Sequence, residues 1–432
     1  MTTIITEKMR QSQAIAFKNN FAIDSDVRTY LAIGKASKWD DEDDTPIIPS
    51  DSSSQEYQDF MDIYAMKRIS QNSAVSVIRR VDWEQNKVFQ QYDNNVEDFF
   101  NTDFYCVNSN FHVYKCLCNN NGSPSLVEPQ GASTKTIQLA DGYVWKFMYV
   151  IPSTYYKFIT NIWVPVKEKL ETDDQTDSYQ WQVQLASVDG AIEQINVTNA
   201  GSGYSSGSTT IEVVGDGEGC VATPVIQSGK LQRINITNPG RGYNYASVVV
   251  SGNGMGATCE AVISPVGGHG SDALAELGAH YLMLNCEFEY DEEGTIPTEN
   301  DYRKIFLMTN PKLWGTNTYA DGDVYDCTWH LQLSGIENIE TDTVLEGVDS
   351  GAKGVVVKID SLSNTVWLSE IQGTFSESET IRIKNTEIIF QIQEMSPPAI
   401  QPRSGNIILK EYRSRVARAD DQSEFVAICI EF

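Results

Sequence analysis

Asp141–Pro152 reads DGYVWKFMYVIP. An Asp-Gly turn runs into Val144, Trp145, Phe147, Met148, Tyr149, Val150 and Ile151, and Pro152 ends the run. Glycine takes a positive φ without steric cost, so Asp141-Gly142 suits a tight turn. A short run of β-branched and aromatic residues bounded by turn formers predicts a buried strand. The run is too short to span a bilayer, which takes roughly 20 apolar residues.

Outward from this strand, the segments from Ala74 to Ile151 have the same style. Val75–Ile78, Phe104–Val107 and Phe111–Leu117 all read as strands, with loops of widely varying length. Strands are also expected at Tyr281–Tyr290, Tyr302–Met308, Ile407–Leu409 and Phe425–Phe432. Helices are expected at 5–20 and 53–69. The second opens with capping-box spacing at Ser53-Ser54-Gln55-Glu56, carries Tyr57, Phe60, Met61 and Tyr64 on one side, and ends at Lys67 and Arg68.

Residues 190–263 contain an internal repeat. Gly190–Tyr204 (GAIEQINVTNAGSGY) recurs as Gly229–Tyr243 (GKLQRINITNPGRGY), and Gly215-Asp216-Gly217 recurs as Gly252-Asn253-Gly254. Each copy reads as three strands separated by glycine turns. One copy could scarcely bury enough surface alone, so two small β-units sharing a core are expected. Gly201, Gly203 and Gly207 do not make a dinucleotide fingerprint, because a strand-like stretch (Thr209–Val214) follows where a helix is needed. A second insertion-like stretch at 334–396 has short strands separated by Gly, Ser, Asp and Asn, as a compact barrel or sandwich would.

Composition narrows the function. The 432 residues carry 32 Lys and Arg against 59 Asp and Glu, a net charge of −27. Phosphate backbones and anionic membranes require a positive surface, so neither nucleic acid nor membrane insertion is expected. The eight cysteines are scattered, and the N-terminal MTTIITEKMR lacks a secretory apolar core. Reduced thiols and synthesis in the cytoplasm are therefore expected. Cys116-Leu117-Cys118 has no second pair at zinc spacing, and the acidic run Asp40–Asp44 lacks the alternating ligands and turn glycine of a calcium loop. No cofactor or metal is expected.

Of the four histidines, His112, His269, His280 and His330, none stands at i, i+4 to another or beside a nucleophile. A glycosidase-type carboxylate pair among so many acids is the enzymatic alternative, but no carboxylate stands out. A non-enzymatic protein is expected.

Six segments together resemble the baseplate wedge subunit family of T-even-type contractile-tailed phages (the gene product eight type). They are VIRRVDW (Val77–Trp83), VYKCL (Val113–Leu117), DGYVWKFMYVIP, YRKIFLMTNP (Tyr302–Pro311), SGNIILKEYR (Ser404–Arg413) and DQSEFVAICIEF (Asp421–Phe432), in the family's order. The resemblance implies a layered antiparallel β-sandwich scaffold, mainly β with a few peripheral helices; residues 186–266 and 334–396 have no counterpart in the family, so the scaffold is expected to carry two inserted small β-modules there. The scaffold would comprise 1–185, 267–333 and 397–432, with a glycine-rich repeat module at 186–266 and a second module at 334–396. It further implies a homodimer at the virion's tail baseplate, assembled in the host cytoplasm beside other wedge proteins.

Within these segments Arg79, Arg80, Asp82, Trp83, Asp141, Gly142, Trp145, Asn310, Pro311, Gly405 and Arg413 are the candidate structural or interface residues. Arg79 and Arg80 beside Asp82 and Trp83 suggest a buried ion pair at a sheet corner, or an intersubunit contact. Two alternatives remain: a carbohydrate- or receptor-binding tail protein, with Trp367, Tyr204 and Tyr243 as stacking platforms, although the equivalent repeat positions of the two tyrosines favour a packing role for them, and a tail-associated hydrolase.

Overall fold

A computed structural model describes residues 4–22, 24–40, 45–96, 99–172 and 178–432. The acids at 41–44 lie outside the described residues. The chain is mainly β, and its strands pair antiparallel in several sheets. It divides into two compact units: the first comprises Met1–Ile15, Val75–Met283 and Cys429–Phe432, the second Ala16–Ala74 and Leu284–Ile428.

In the first unit, Tyr143–Val150 is the strand expected from its sequence. It pairs with His112–Asn119 on one side and Ile137–Gln138 on the other, and Tyr105–Val107 completes a four-stranded sheet. Trp145, Phe147 and Tyr149 are fully buried, in a core with Phe89, Phe104, Tyr114 and Leu274.

The repeat forms three two-stranded sheets, and each takes one strand from each copy. Gln194–Ser202 pairs with Met255–Val262, Thr210–Gly215 with Ala246–Ser251, and Glu218–Gln227 with Lys230–Arg241. The shared core takes equivalent residues from both copies, Ile192 and Ile195 from one and Leu231 and Ile234 from the other. Tyr204 and Tyr243 are 6% and 5% exposed, and their hydroxyls accept hydrogen bonds from the Ala257 and Cys220 amides. Gly254 lies flat on the Tyr204 ring and Gly217 on the Tyr243 ring, where any Cβ would collide. Each tyrosine is thus covered by a glycine of the other copy. Both are packing residues rather than stacking platforms.

The second unit holds a five-stranded sheet in the order Val324–Asp326, Ile63–Arg68, Thr29–Gly34, Asn300–Thr309, Asn406–Arg418. Tyr30, Ala32, Phe306 and Met308 fill its core. The expected 53–69 helix is shorter, running over Ser53–Asp62. Ile63–Arg68 pairs as a strand with Thr29–Gly34, so Lys67 and Arg68 end a strand rather than a helix. Pairing with a buried neighbour overrides the local helical pattern. The cap also shifts by one residue, because the Ser52 side chain accepts from the Gln55 amide at 3.4 Å.

Six strands from Trp329–Leu333 to Ile389–Ser396 close a barrel. Leu331, Leu345, Val356, Val366, Leu368 and Ile381 are fully buried inside it. Trp367 is only partly exposed, with the His330 ring 5.0 Å from its own and the Lys358 ammonium 5.3 Å from its centroid.

Candidate functional site

The candidate residues fall into two groups. In the first unit, extended backbone sends successive side chains to opposite faces. Arg79 therefore reaches Asp103 at 2.6 Å, while Arg80 and Asp82, two residues apart, share a face and pair at 2.9 Å. Arg80 also donates to the Thr160 carbonyl at 3.0 Å. The expectation of a buried pair is corrected here, since the Arg80 and Asp82 side chains are 30% and 45% exposed.

Trp83 joins a different network. Its Nε1 donates to Ser125 Oγ at 3.0 Å, and the Ser125 hydroxyl approaches the Asp141 carboxylate at 3.4 Å. Asp141 also accepts from the Leu126, Val127 and Tyr143 amides at 2.8, 3.0 and 3.1 Å. One carboxylate thus clamps the 125–127 loop onto the turn that starts the central strand. Gly142 completes that turn at φ +87°. Trp145 stacks on Tyr143 with ring centroids 5.6 Å apart, and its Nε1 has no hydrogen-bond partner among the described residues.

In the second unit, Asn310 and Arg28 exchange a reciprocal pair of hydrogen bonds, each 2.8 Å, from Asn310 N to Arg28 O and from Arg28 N to Asn310 Oδ1. Gly405 packs against Thr309 and Pro311, where an added Cβ would lie 2.5 Å from the Thr309 oxygen. Arg413 contributes through its backbone, its carbonyl accepting from Trp39 Nε1 at 2.9 Å. The corner at 309–316 is pinned to 399–405. Trp314 N donates to Ala399 O at 2.9 Å, Lys312 N to Ser404 Oγ at 2.9 Å, Gln401 N to Lys312 O at 2.8 Å and Gly315 N to Gln401 Oε1 at 3.2 Å. Beside this corner lies a pocket of about 320 Å³.

Two buried charge clusters do not appear among the candidates read from sequence. In the first unit, Lys115 and Lys146 face each other across neighbouring strands, and both are 0% exposed. Like charges in that position repel, and each has its own acid. Lys146 Nζ donates to Glu193 at 3.2 Å and Lys115 Nζ to Glu276 at 3.0 Å. His269 Nδ1 lies 3.2 Å from Lys115 Nζ, and the Tyr92 ring centroid lies 4.1 Å from that ammonium. Burial pushes the Glu276 carboxyl up, but Lys115 and then His269 more than offset this and hold it at about 2. Burial, reinforced by Lys115, lowers His269.

In the second unit the Ser53–Asp62 helix turns Asp59 and Asp62 inward. Lys304 bridges them at 2.7 and 2.6 Å. Lys410 and the Tyr412 hydroxyl reach Asp59 at 3.1 and 2.5 Å, and Gln58 donates to Asp62 at 2.6 Å. The Lys304 ammonium lies 4.3 Å from the Tyr412 ring centroid and 5.7 Å from that of Trp39. Burial, reinforced by Glu370, pushes Asp62 up to about 6 even though Lys304 opposes it. The sequence signal is a basic residue inside an apolar strand, a lysine in VYKCL and VWKFM and the Arg303-Lys304 pair in YRKIF.

All eight cysteines are free thiols; Cys106, Cys116 and Cys286 are buried and Cys429 is exposed. Among the described residues, no three His, Cys, Asp or Glu side chains are placed to hold a metal ion. No described helix is long and apolar enough to cross a membrane. No protein-family model matches the chain, and no curated protein matches it in sequence.

Proposed function

We propose that this chain is a structural component of a phage tail baseplate wedge. It would act as a homodimer that holds neighbouring wedge proteins in place during assembly and sheath contraction. The observation that carries the reading is the ordered set of six family-like segments. All six contribute to strands outside the repeat module and the barrel, among them Ala74–Arg79, His112–Asn119, Tyr143–Val150, Asn300–Thr309, Asn406–Arg418 and Ser423–Glu431. The candidate residues within them clamp turns and corners, as a load-transmitting scaffold requires. Further support comes from Lys115, Glu276, Lys304, Asp59 and Asp62, whose charges are sealed inside and spent on one another. The work is mechanical, with no cofactor and no substrate turnover.

Immunogold labelling of tailed particles with antibodies against this chain tests the proposal. Label at the distal tail end is expected. Label on fibres would instead favour receptor binding, and unlabelled particles, intact or disrupted, would overturn the baseplate assignment.

A further inference from the structure

The pocket beside the 309–316 corner differs chemically from the rest of the chain. Trp314 and Trp329 form two of its walls, with ring centroids 5.1 Å apart and planes at 83°. Both indoles are partly exposed. Met61, Met395 and Phe375 add apolar surface, and Gln401 and Arg403 supply polar groups. No Asp or Glu lines the pocket, although the chain has 59 of them. Arg403 is exposed and has no carboxylate partner among the described residues. Its guanidinium lies 4.9 Å from the centroid of the Tyr57 ring.

Three features select a ligand class. An indole wall takes the apolar C–H face of a sugar ring, and a second wall at a steep angle restricts how that ring can turn. A guanidinium with free donors binds a carboxylate by paired, charge-assisted hydrogen bonds. Few polar groups in a mostly apolar cavity fix orientation. The loops carrying Trp314, Gln401 and Arg403 are already tied together by the 312–404, 401–312 and 315–401 hydrogen bonds. Little ordering is therefore left for a ligand to offset.

We propose that this pocket binds a carboxylate-bearing sugar ring, a uronic or sialic acid residue of an oligosaccharide, stacked on the Trp314–Trp329 corner with its carboxylate on Arg403. The site is independent of the baseplate reading and would stand if that reading failed. It also moves the glycan platform from Trp367, half covered by His330 and Lys358, to Trp314 and Trp329.

The test titrates the full chain with trigalacturonate and sialyllactose, and with the neutral controls galactotriose and lactose. Tryptophan fluorescence and saturation-transfer NMR report binding. At least one acidic glycan is expected to bind saturably, at least tenfold more tightly than its neutral counterpart, and more weakly as salt rises. Arg403→Gln alters an exposed side chain and is expected to remove that preference while leaving the melting temperature unchanged. Trp314→Phe tests the stacking wall with a ring retained and should weaken binding several-fold. Three results would overturn the proposal: no saturable binding of either acidic glycan at millimolar concentration, equal binding of acidic and neutral sugars, or an acidic preference that survives Arg403→Gln. Arg403-dependent binding of an acetylated Asp-Phe dipeptide amide without glycan binding would also overturn it, assigning the pocket to a protein partner.

Discussion

Both units bury lysines among aromatic rings and carboxylates, but they balance the charge differently. Around Lys115 one acid, Glu276, serves a lysine with a histidine alongside, and the carboxyl is held down at about 2. Around Lys304 two acids crowd one fully buried lysine, with Lys410 at the margin, and Asp62 is pushed up to about 6. The first cluster has ample cation and the second a surplus of anion. Burial alone therefore does not set the direction of a shift; the local ratio of charges does.

The largest effect expected from this contrast is that of Lys304→Met. Asp59 and Asp62 would be left buried with Lys410, on Asp59, as their one remaining ion-pair partner among the described residues, and loss of one partner of a buried pair costs roughly 3–5 kcal/mol. Lys115→Met should cost less, roughly 2–3 kcal/mol, because Glu276 keeps the Gly270 amide at 2.6 Å and His269 can take up a proton. Chemical denaturation at neutral pH compares the two. A larger loss for Lys115→Met would break the distinction.

The next effect is pH dependence of opposite sign. Asp62 rises from 3.8 to about 6 on folding, so its contribution is full below pH 3.8 and lost as pH rises through 6. Glu276 falls from 4.5 to about 2, so its contribution is full above pH 4.5 and lost as pH falls through 2. Each change amounts to roughly 3 kcal/mol at full extent. Between pH 6 and 4.5, protection of Thr29–Gly34 and Asn300–Thr309 should therefore grow, while that of His112–Asn119 should already decline, because burial lowers His112 and His269 and the unfolded chain takes up their protons first. Below pH 4.5 the loss of the Glu276 contribution should deepen that decline. Hydrogen exchange, corrected for the intrinsic rate, reads both, and parallel changes in the two regions would refute the charge-ratio account.

The smallest effect is that of Arg80→Ala. Its pair with Asp82 is half-exposed and screened by water, so a loss below about 1 kcal/mol is expected, with the oligomeric state unchanged. Sedimentation together with denaturation checks this. Dissociation of an oligomer whose subunits remain folded would make Arg80 an interface residue.

Much of the fold was legible because strands have a short period. The Tyr143–Val150 strand, the three-strand repeat units and the short strands of the barrel all follow from apolar runs and turn residues. The 53–69 segment was misread past Asp62 because Tyr64 continued a helical stripe, and only its pairing with Thr29–Gly34 makes it a strand. The clusters were less legible. Glu276 lies 161 residues from Lys115, and Asp59 lies 245 from Lys304, so no local spacing joins them. Likewise, Trp314 and Trp329 become a corner only when the barrel's first strand meets the 309–316 turn. Asp141 was singled out as a turn residue, and its role as a clamp on 125–127 depends on a loop whose length carries no signal.

The crossed pairing of the repeat bears on the order of synthesis. When residue 227 leaves the ribosome, all three strands of the first copy exist, yet none has the strand it pairs with. The hairpin of Glu218–Gln227 with Lys230–Arg241 can close first, then Thr210–Gly215 finds Ala246–Ser251, and Gln194–Ser202, made earliest, waits for Met255–Val262. At about 5–20 residues per second that wait lasts several seconds. Through that interval the nascent chain exposes unpaired strand edges and an uncovered apolar face, the state in which a growing β-rich chain is most open to aggregation.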